Sequence, residues 1–258
     1  MATISDAQLV AVLRPFVRAC APTLDALRES DPLRLKARDG HEPAGRGFGR
    51  SVVRVLASVR APGTAAWEAM DTPRRVRWWT GRFGRLTALL TAVPGLGGVL
   101  ADRLPVQDLL GAGSQGLVLC AIAGECGVTD TGARVRLLAA VLFDRVVEPD
   151  LASGRGVGQD QAGEDAEVER LAGHRHRVTG AVSVLTTLGG GLWRLARSLG
   201  GISAELGKRP SGRWYHRALG AVPGIGAVGD YFGERAGMRV VRARALRWLT
   251  THAAAAPR

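Results

Sequence analysis

The sequence predicts an all-α protein: a compact helical bundle with two Gly/Pro hairpins as a pseudo-repeat. Composition is the first reason. Ala, Leu and Arg favour helix, whereas aromatic residues make up only 5% of the chain, fewer than strand-rich proteins usually carry. Periodicity is the second, because apolar residues recur at helical spacing in several segments. The third is a repeated motif. Residues 92–98 read Ala-Val-Pro-Gly-Leu-Gly-Gly and residues 221–227 read Ala-Val-Pro-Gly-Ile-Gly-Ala, each followed shortly by an acid, Asp102 or Asp230. Pro94, Gly95 and Gly97 shape the first hairpin, and Pro223, Gly224 and Gly226 the second.

Along the chain, Ser5 and Gln8 form a capping box. The helix that follows places Leu9, Leu13, Phe16, Val17 and Cys20 on one face. Residues 30–50 are rich in Arg, Gly, Pro and Asp and read as loop. Val52 to Val59 is a short apolar stretch closed by Pro62-Gly63. Thr72-Pro73 is a helix start, with Thr72 as cap and Pro73 in the first turn, and this helix should run to the Pro94 hairpin. Leu104-Pro105 starts another helix through Gly124. Thr129 or Thr131 caps the next, which points Val135, Leu138, Leu142 and Val146 inward. An acidic, Gly-rich stretch follows, read as a flexible loop that passes into a helix start. Long helical segments come next, broken at Gly189-Gly190-Gly191 and around Pro210. The last helix runs from the second hairpin to about Leu249. The expected domains are a helical N-terminal segment with a basic loop, 1–70, and a helical domain, 71–258, containing the acidic loop at about 149–165.

A chain of 258 residues with 46% hydrophobic residues is long enough to bury a sizeable core. Its formal net charge is +12. Lys36 and Lys208 are the only lysines among 35 basic residues, so the rest are arginine. Such a balance attracts polyanions, either nucleic acid or an anionic membrane face, although a GC-rich genome gives the same bias without a partner. Cys20, Cys120 and Cys126 have neither a disulfide framework nor metal spacing. The amino terminus lacks a basic start with an apolar core, so a cytoplasmic site is expected.

Apolar stretches at 86–101, 109–124, 178–193 and 218–229 are each shorter than the roughly 20 residues a membrane-spanning helix needs. They fit core helices or shallow re-entrant hairpins. Ala112, Gly116, Cys120 and Gly124 recur every fourth residue, as do Gly229, Gly233 and Gly237. Such stripes let helix backbones approach closely, in water or in lipid. Arg74, Arg75, Arg77, Trp78, Trp79 and Arg82 form a basic, aromatic cluster without an acid. Arg239, Arg242 and Trp248 belong to a second cluster on the last helix. Trp beside Arg at the end of an apolar segment is an interfacial pattern, so both clusters are candidate membrane or anion contacts; a solvated basic face with Trp in the core is the alternative.

Other motifs are weaker. Gly224, Gly226 and Gly229 spell a dinucleotide fingerprint, yet no strand precedes it and no acid follows at the right distance. His174 and His176 diverge by about 200° on a helix and do not converge on a metal. Ser114 lacks the context of a nucleophile elbow. No metal or cofactor is expected. Asp102, Asp108, Glu125 and Asp230 border apolar segments; they are either a polar site between the hairpins or helix-capping acids.

The segments Ala92-Val-Pro-Gly-Leu-Gly-Gly-Val-Leu-Ala-Asp102, Leu104-Pro-Val-Gln-Asp-Leu-Leu110 and Leu119-Cys-Ala-Ile-Ala-Gly-Glu-Cys-Gly127 resemble the EcsC-like family. The similarity returns at Ala221-Val-Pro-Gly-Ile-Gly-Ala-Val-Gly-Asp-Tyr-Phe232 and the basic helix after it. It covers residues 85–147 and 215–250 and rests on Gly and Ala patterns. This chain has Asp230 where relatives often carry an Asn. The resemblance implies a helical, membrane-associated protein linked by context to transport or secretion, and it brings no catalytic residues. The expected function is therefore a membrane-associated accessory or scaffold protein on the cytoplasmic face. Its expected partners are an anionic membrane surface and a transporter component. A soluble nucleic-acid-binding protein is the first alternative, and an enzyme using the acids near the hairpins is the second.

Overall fold

In the computed structural model, the described residues are 4–29, 62, 64–83, 106–155, 160–172, 181–200, 202 and 226–253. They are helical, with no strand among them. The elements are α1 (Asp6–Glu29), α2 (Ala65–Glu68), α3 (Thr72–Trp78), a π-helical turn (Trp79–Phe83), α4 (Val106–Glu125), α5 (Thr131–Leu142), α6 (Pro149–Ser153), α7 (Gln161–Ala172), α8 (Ala181–Ser198) and α9 (Gly226–Ala253). Residues 84–105 and 203–225, on which most of both expected hairpins fall, lie outside the described residues.

Helix α4 is the centre. From Leu117 to Ala123 every side chain is buried, and α1, α5, α8, α9 and α3 pack around it. A helix apolar on all sides belongs in the middle of a core. The stretch 109–124, which the sequence also allowed in lipid, is this core helix. No helix among the described residues is long and apolar enough to cross a membrane.

The small-residue stripe on α4 is where helices cross. A Cβ on Gly116 would stand 2.6 Å from Cζ of Phe16 on α1, and one on Gly113 would stand 3.0 Å from Cα of Ala196 on α8. Glycine at these two places lets ring and backbone come closer than any other residue would allow. Helix α4 then ends in a Schellman turn. The amide of Val128 donates to the Ala123 carbonyl at 2.8 Å, with Gly127 at φ +80°.

The capping box of α1 is present, with Ser5 N to Gln8 Oε1 at 2.9 Å and Gln8 N to Ser5 Oγ at 3.2 Å. Leu9, Leu13, Phe16, Val17 and Cys20 are all buried. Helix α1 packs on α4, α5, α7 and α8, so it shares their core.

Several local expectations are corrected. Asp71, not Thr72, caps α3, accepting from Arg74 N at 2.8 Å, and Asp130 caps α5, accepting from Ala133 N at 2.7 Å. A carboxylate facing the free amides of a first turn gains a charge-assisted bond that a hydroxyl does not. Helix α3 passes into the π-helical turn at Trp79, and the rest of the expected run to Pro94 lies outside the described residues. Val146 is 91% exposed, because α5 stops at Leu142 and Asp144 takes a left-handed φ of 54° that turns the chain and buries Val147 instead. Residues 149–153 of the expected acidic loop form helix α6, and residues 161–165 already belong to α7. Helix α8 runs unbroken through Gly189-Gly190-Gly191.

Candidate functional site

The first basic cluster is built around a packed tryptophan knot. Trp79 is fully buried, and Trp78 is half-buried. With Trp67 they form three edge-to-face contacts, at centroid separations of 5.1, 6.0 and 5.2 Å. Each ring edge meets a neighbour's face, the arrangement favoured by aromatic quadrupoles. Trp79 Nε1 donates to Glu125 Oε1 at 3.2 Å, and Arg75 Nη1 donates to Glu125 Oε2 at 3.4 Å. Arg75 also lies 5.9 Å over the Trp67 ring and donates to the Glu68 carbonyl at 2.8 Å. Trp79 is therefore a core residue, while half-buried Trp78 lies at its edge. Arg74 and Arg77 are exposed, and Arg74 stands 3.8 Å from Asp71. Arg82 lies in the π-helical turn.

The second cluster does face solvent. Helix α9 buries Met238, Val241, Ala245 and Leu249 against the bundle. Arg239 and Arg247 are exposed on its outer side, with half-buried Arg242 and Arg244 on its flanks. None of the four has an ion-pair partner among the described residues, and the sequence beyond Glu234 holds no acid. Val240 and Leu246 lie exposed between them. Trp248, half-buried, is stacked on His252 at 4.2 Å, and Arg136 of α5 sits 5.8 Å from its ring.

The four candidate acids do not form one site. Glu125 ends α4, whereas Asp108 lies near its start, about 26 Å away along the helix. The Glu125 side chain is only 5% exposed and is engaged by the tryptophan knot. Asp230 lies on α9 near its start, and Gly226 is the first residue of that helix. Asp102, Pro94, Gly95, Gly97, Pro223 and Gly224 lie outside the described residues, as do His174 and His176. Among the described residues no group of three or more His, Cys, Asp or Glu is placed to hold a metal. Ser114 is buried within α4.

Sequence reasoning missed a charged joint between α1 and α7. Glu164 accepts from Arg14 Nε at 2.9 Å and from Arg18 Nη1 at 2.8 Å, while Arg18 Nη2 reaches Asp165 at 2.7 Å. Arg14 Nη1 also donates to the Ala152 carbonyl at 2.9 Å. Burial on its own raises the Glu164 carboxyl pKa, but the hydrogen bonds from Arg14 and Arg18 outweigh it and hold it below the ordinary value. The bond to Glu164 raises the Arg18 guanidinium in turn, against partial desolvation. Nothing local in the sequence marks this joint, because Arg14 and Glu164 are 150 positions apart. Arg136 was missed for the same reason.

Cys20 of α1 and Cys120 of α4 are fully buried. Burial pushes the Cys20 thiol well up, helped by its hydrogen bond with Cys120. Cys126 is half-buried and is also raised, first by desolvation and then by Glu125 beside it. The nearby charge of Arg134 lowers the Cys20 thiol but does not offset its burial.

No protein-family model matches the chain, and no curated protein or solved structure matches it either.

Proposed function

We propose that this protein is a peripheral protein of an anionic membrane surface, held there through α9, where it serves as a scaffold or accessory factor. One observation carries the reading: Arg239 and Arg247 on the solvent side of a long helix, with Arg242 and Arg244 half-buried on its flanks, have no carboxylate partner among the described residues. Each cation near an anionic leaflet contributes about 1 kcal/mol. Four together give about 4 kcal/mol, a partition preference on the order of a thousandfold. Exposed Val240 and Leu246 add only small apolar contacts, so the binding is electrostatic and sensitive to salt.

The charge of the bundle is also directional. Helix α9 packs on α4, α5 and the π-helical turn, whereas the acidic α7 packs on α1 and α8. An anionic surface therefore attracts one flank of the molecule and repels the other. The likeness of the glycine hairpins to the EcsC-like family supports a membrane setting and a link to transport. So does the sequence, where the second hairpin runs directly into α9.

The test is co-sedimentation with phosphatidylcholine vesicles and with equimolar phosphatidylcholine–phosphatidylserine vesicles, at low and high salt. Binding only to the anionic vesicles, reversed by salt and lost in R239A/R242A/R244A/R247A, is the expected result. Equal binding to both vesicle types overturns it. Binding to duplex DNA of random sequence without vesicle binding moves the function to nucleic acid.

A further inference from the structure

Helix α7 is joined to the bundle mainly by charge. Of its residues only Leu171 is buried. Residues 161–170 are all at least partly exposed. Against that single apolar contact stand the Arg14–Glu164, Arg18–Glu164 and Arg18–Asp165 ion pairs, with Arg194 of α8 donating to the Leu171 carbonyl at 3.1 Å. Glu167 is paired with Arg170 on its own helix and takes no part in the joint.

The anchor is well made. The Arg14 and Glu164 side chains are only 14% and 12% exposed, and Arg14 contacts both carboxylate oxygens. A partly desolvated, forked pair of this kind contributes far more than an exposed one. A helix of this length is marginal in water on its own, so α7 keeps its form only while docked.

Closure has an electrostatic consequence. With α7 docked, Arg14 and Arg18 are neutralised by Glu164 and Asp165. The α9 arginines, Arg77 and Arg197 are then among the described cations that have no ion pair. With α7 lifted, α1 presents two further arginines on a different side of the bundle.

We propose that α7 is a strap, closed by Glu164 and Asp165 over Arg14 and Arg18, whose release uncovers a second cationic face on α1 for anionic phosphate surfaces. The part concerning surfaces rests on the function proposed above; the strap itself does not. The strap sets how much of the basic charge is available.

Amide hydrogen exchange and vesicle co-sedimentation on four proteins test this: the wild type, L171A, E164Q/D165N and E167Q/E169Q. The last changes net charge equally but leaves the joint intact. In E164Q/D165N, α7 should exchange about tenfold faster or more, with α4 and α5 as protected as in the wild type. That variant should also bind equimolar phosphatidylcholine–phosphatidylserine vesicles more tightly than E167Q/E169Q. Unchanged protection of α7 in E164Q/D165N overturns the strap. Equal tightening in both double variants overturns the second cationic face and assigns the effect to net charge. If no protein binds vesicles while α7 still opens, the surface function of α9 falls and the strap stands. Opening of α7 by L171A, without any effect of E164Q/D165N, shows apolar docking and overturns the ionic strap.

Discussion

Replacing Gly116 with Ala adds one methyl group at the crossing of α1 and α4, and the structure says what it meets. The new Cβ would lie 2.6 Å from Cζ and 2.7 Å from Cε1 of Phe16. Ordinary carbon–carbon contact begins near 3.5 Å, so the ring must retreat by roughly 1 Å. Phe16 is fully buried and has no open side to move into. Overpacking of this kind costs about 1–3 kcal/mol. Exchanging Gly for Ala within a helix returns up to about 1 kcal/mol. The net expectation is a destabilisation of about 1–2 kcal/mol. Urea unfolding followed by far-UV circular dichroism reads it as a lower midpoint with an unchanged slope. A double-mutant cycle sharpens the reasoning, because F16L removes the clashing ring edge and should make G116A neutral or stabilising in that background. If G116A is equally destabilising with and without F16L, the clash is not the cause and the packing argument fails. If G116A stabilises the wild type, the close approach of α1 and α4 is itself wrong.

Three further outcomes are expected. Glu164 has a carboxyl held below its ordinary value of 4.5, so the folded state binds this proton less readily than the unfolded chain. Its stabilising contribution is complete above that ordinary value and is lost as pH falls through the lower, folded one. Arg14 and Arg18 of α1 are the cations that contact it. The protection of α7 amides, taken relative to the intrinsic exchange rate at each pH, should therefore fall on acidification before that of α4 and α5, and simultaneous loss in all three contradicts this. Substituting Glu125 by Ala removes an acceptor from Trp79 Nε1 and the carboxylate beside part-exposed Arg75, at a cost of about 1–3 kcal/mol. Thermal unfolding and a changed tryptophan emission should both report it; a midpoint equal to that of the wild type counts against the knot. Labelling with a maleimide should modify Cys126 first, and Cys20 and Cys120 only on unfolding, since both are fully buried. Equal labelling rates for the three in the native protein are incompatible with this packing.

The helical class, the capping box, the inward face of α1 and the helix after Pro105 were legible in the sequence because their causes are local. A cap needs residues three apart, and an apolar stripe needs only a period. The small residues at Ala112, Gly116 and Cys120 announced a close crossing, though not whether lipid or protein would fill it. Local reasoning failed where two signals competed. Asp and Thr both suit a cap, and the carboxylate won at Asp71 and Asp130. The period of α5 pointed Val146 inward, but the left-handed turn at Asp144 ended the helix first.

The tertiary structure alone decided what the charged and aromatic residues do. An Arg- and Trp-rich string reads the same on a membrane surface as in a core, since sequence spacing does not record which face is covered. Packing against α4 made Trp79 and Arg75 part of a buried knot around Glu125, and left the arginines of α9 in solvent. The joint of Arg14 and Arg18 with Glu164 needed the chain to fold back across most of its length. Composition thus determined that the protein is helical and strongly basic. Only the assembly of α1, α4, α7 and α9 determined which cations are neutralised and which stay free, because pairing depends on distance in space.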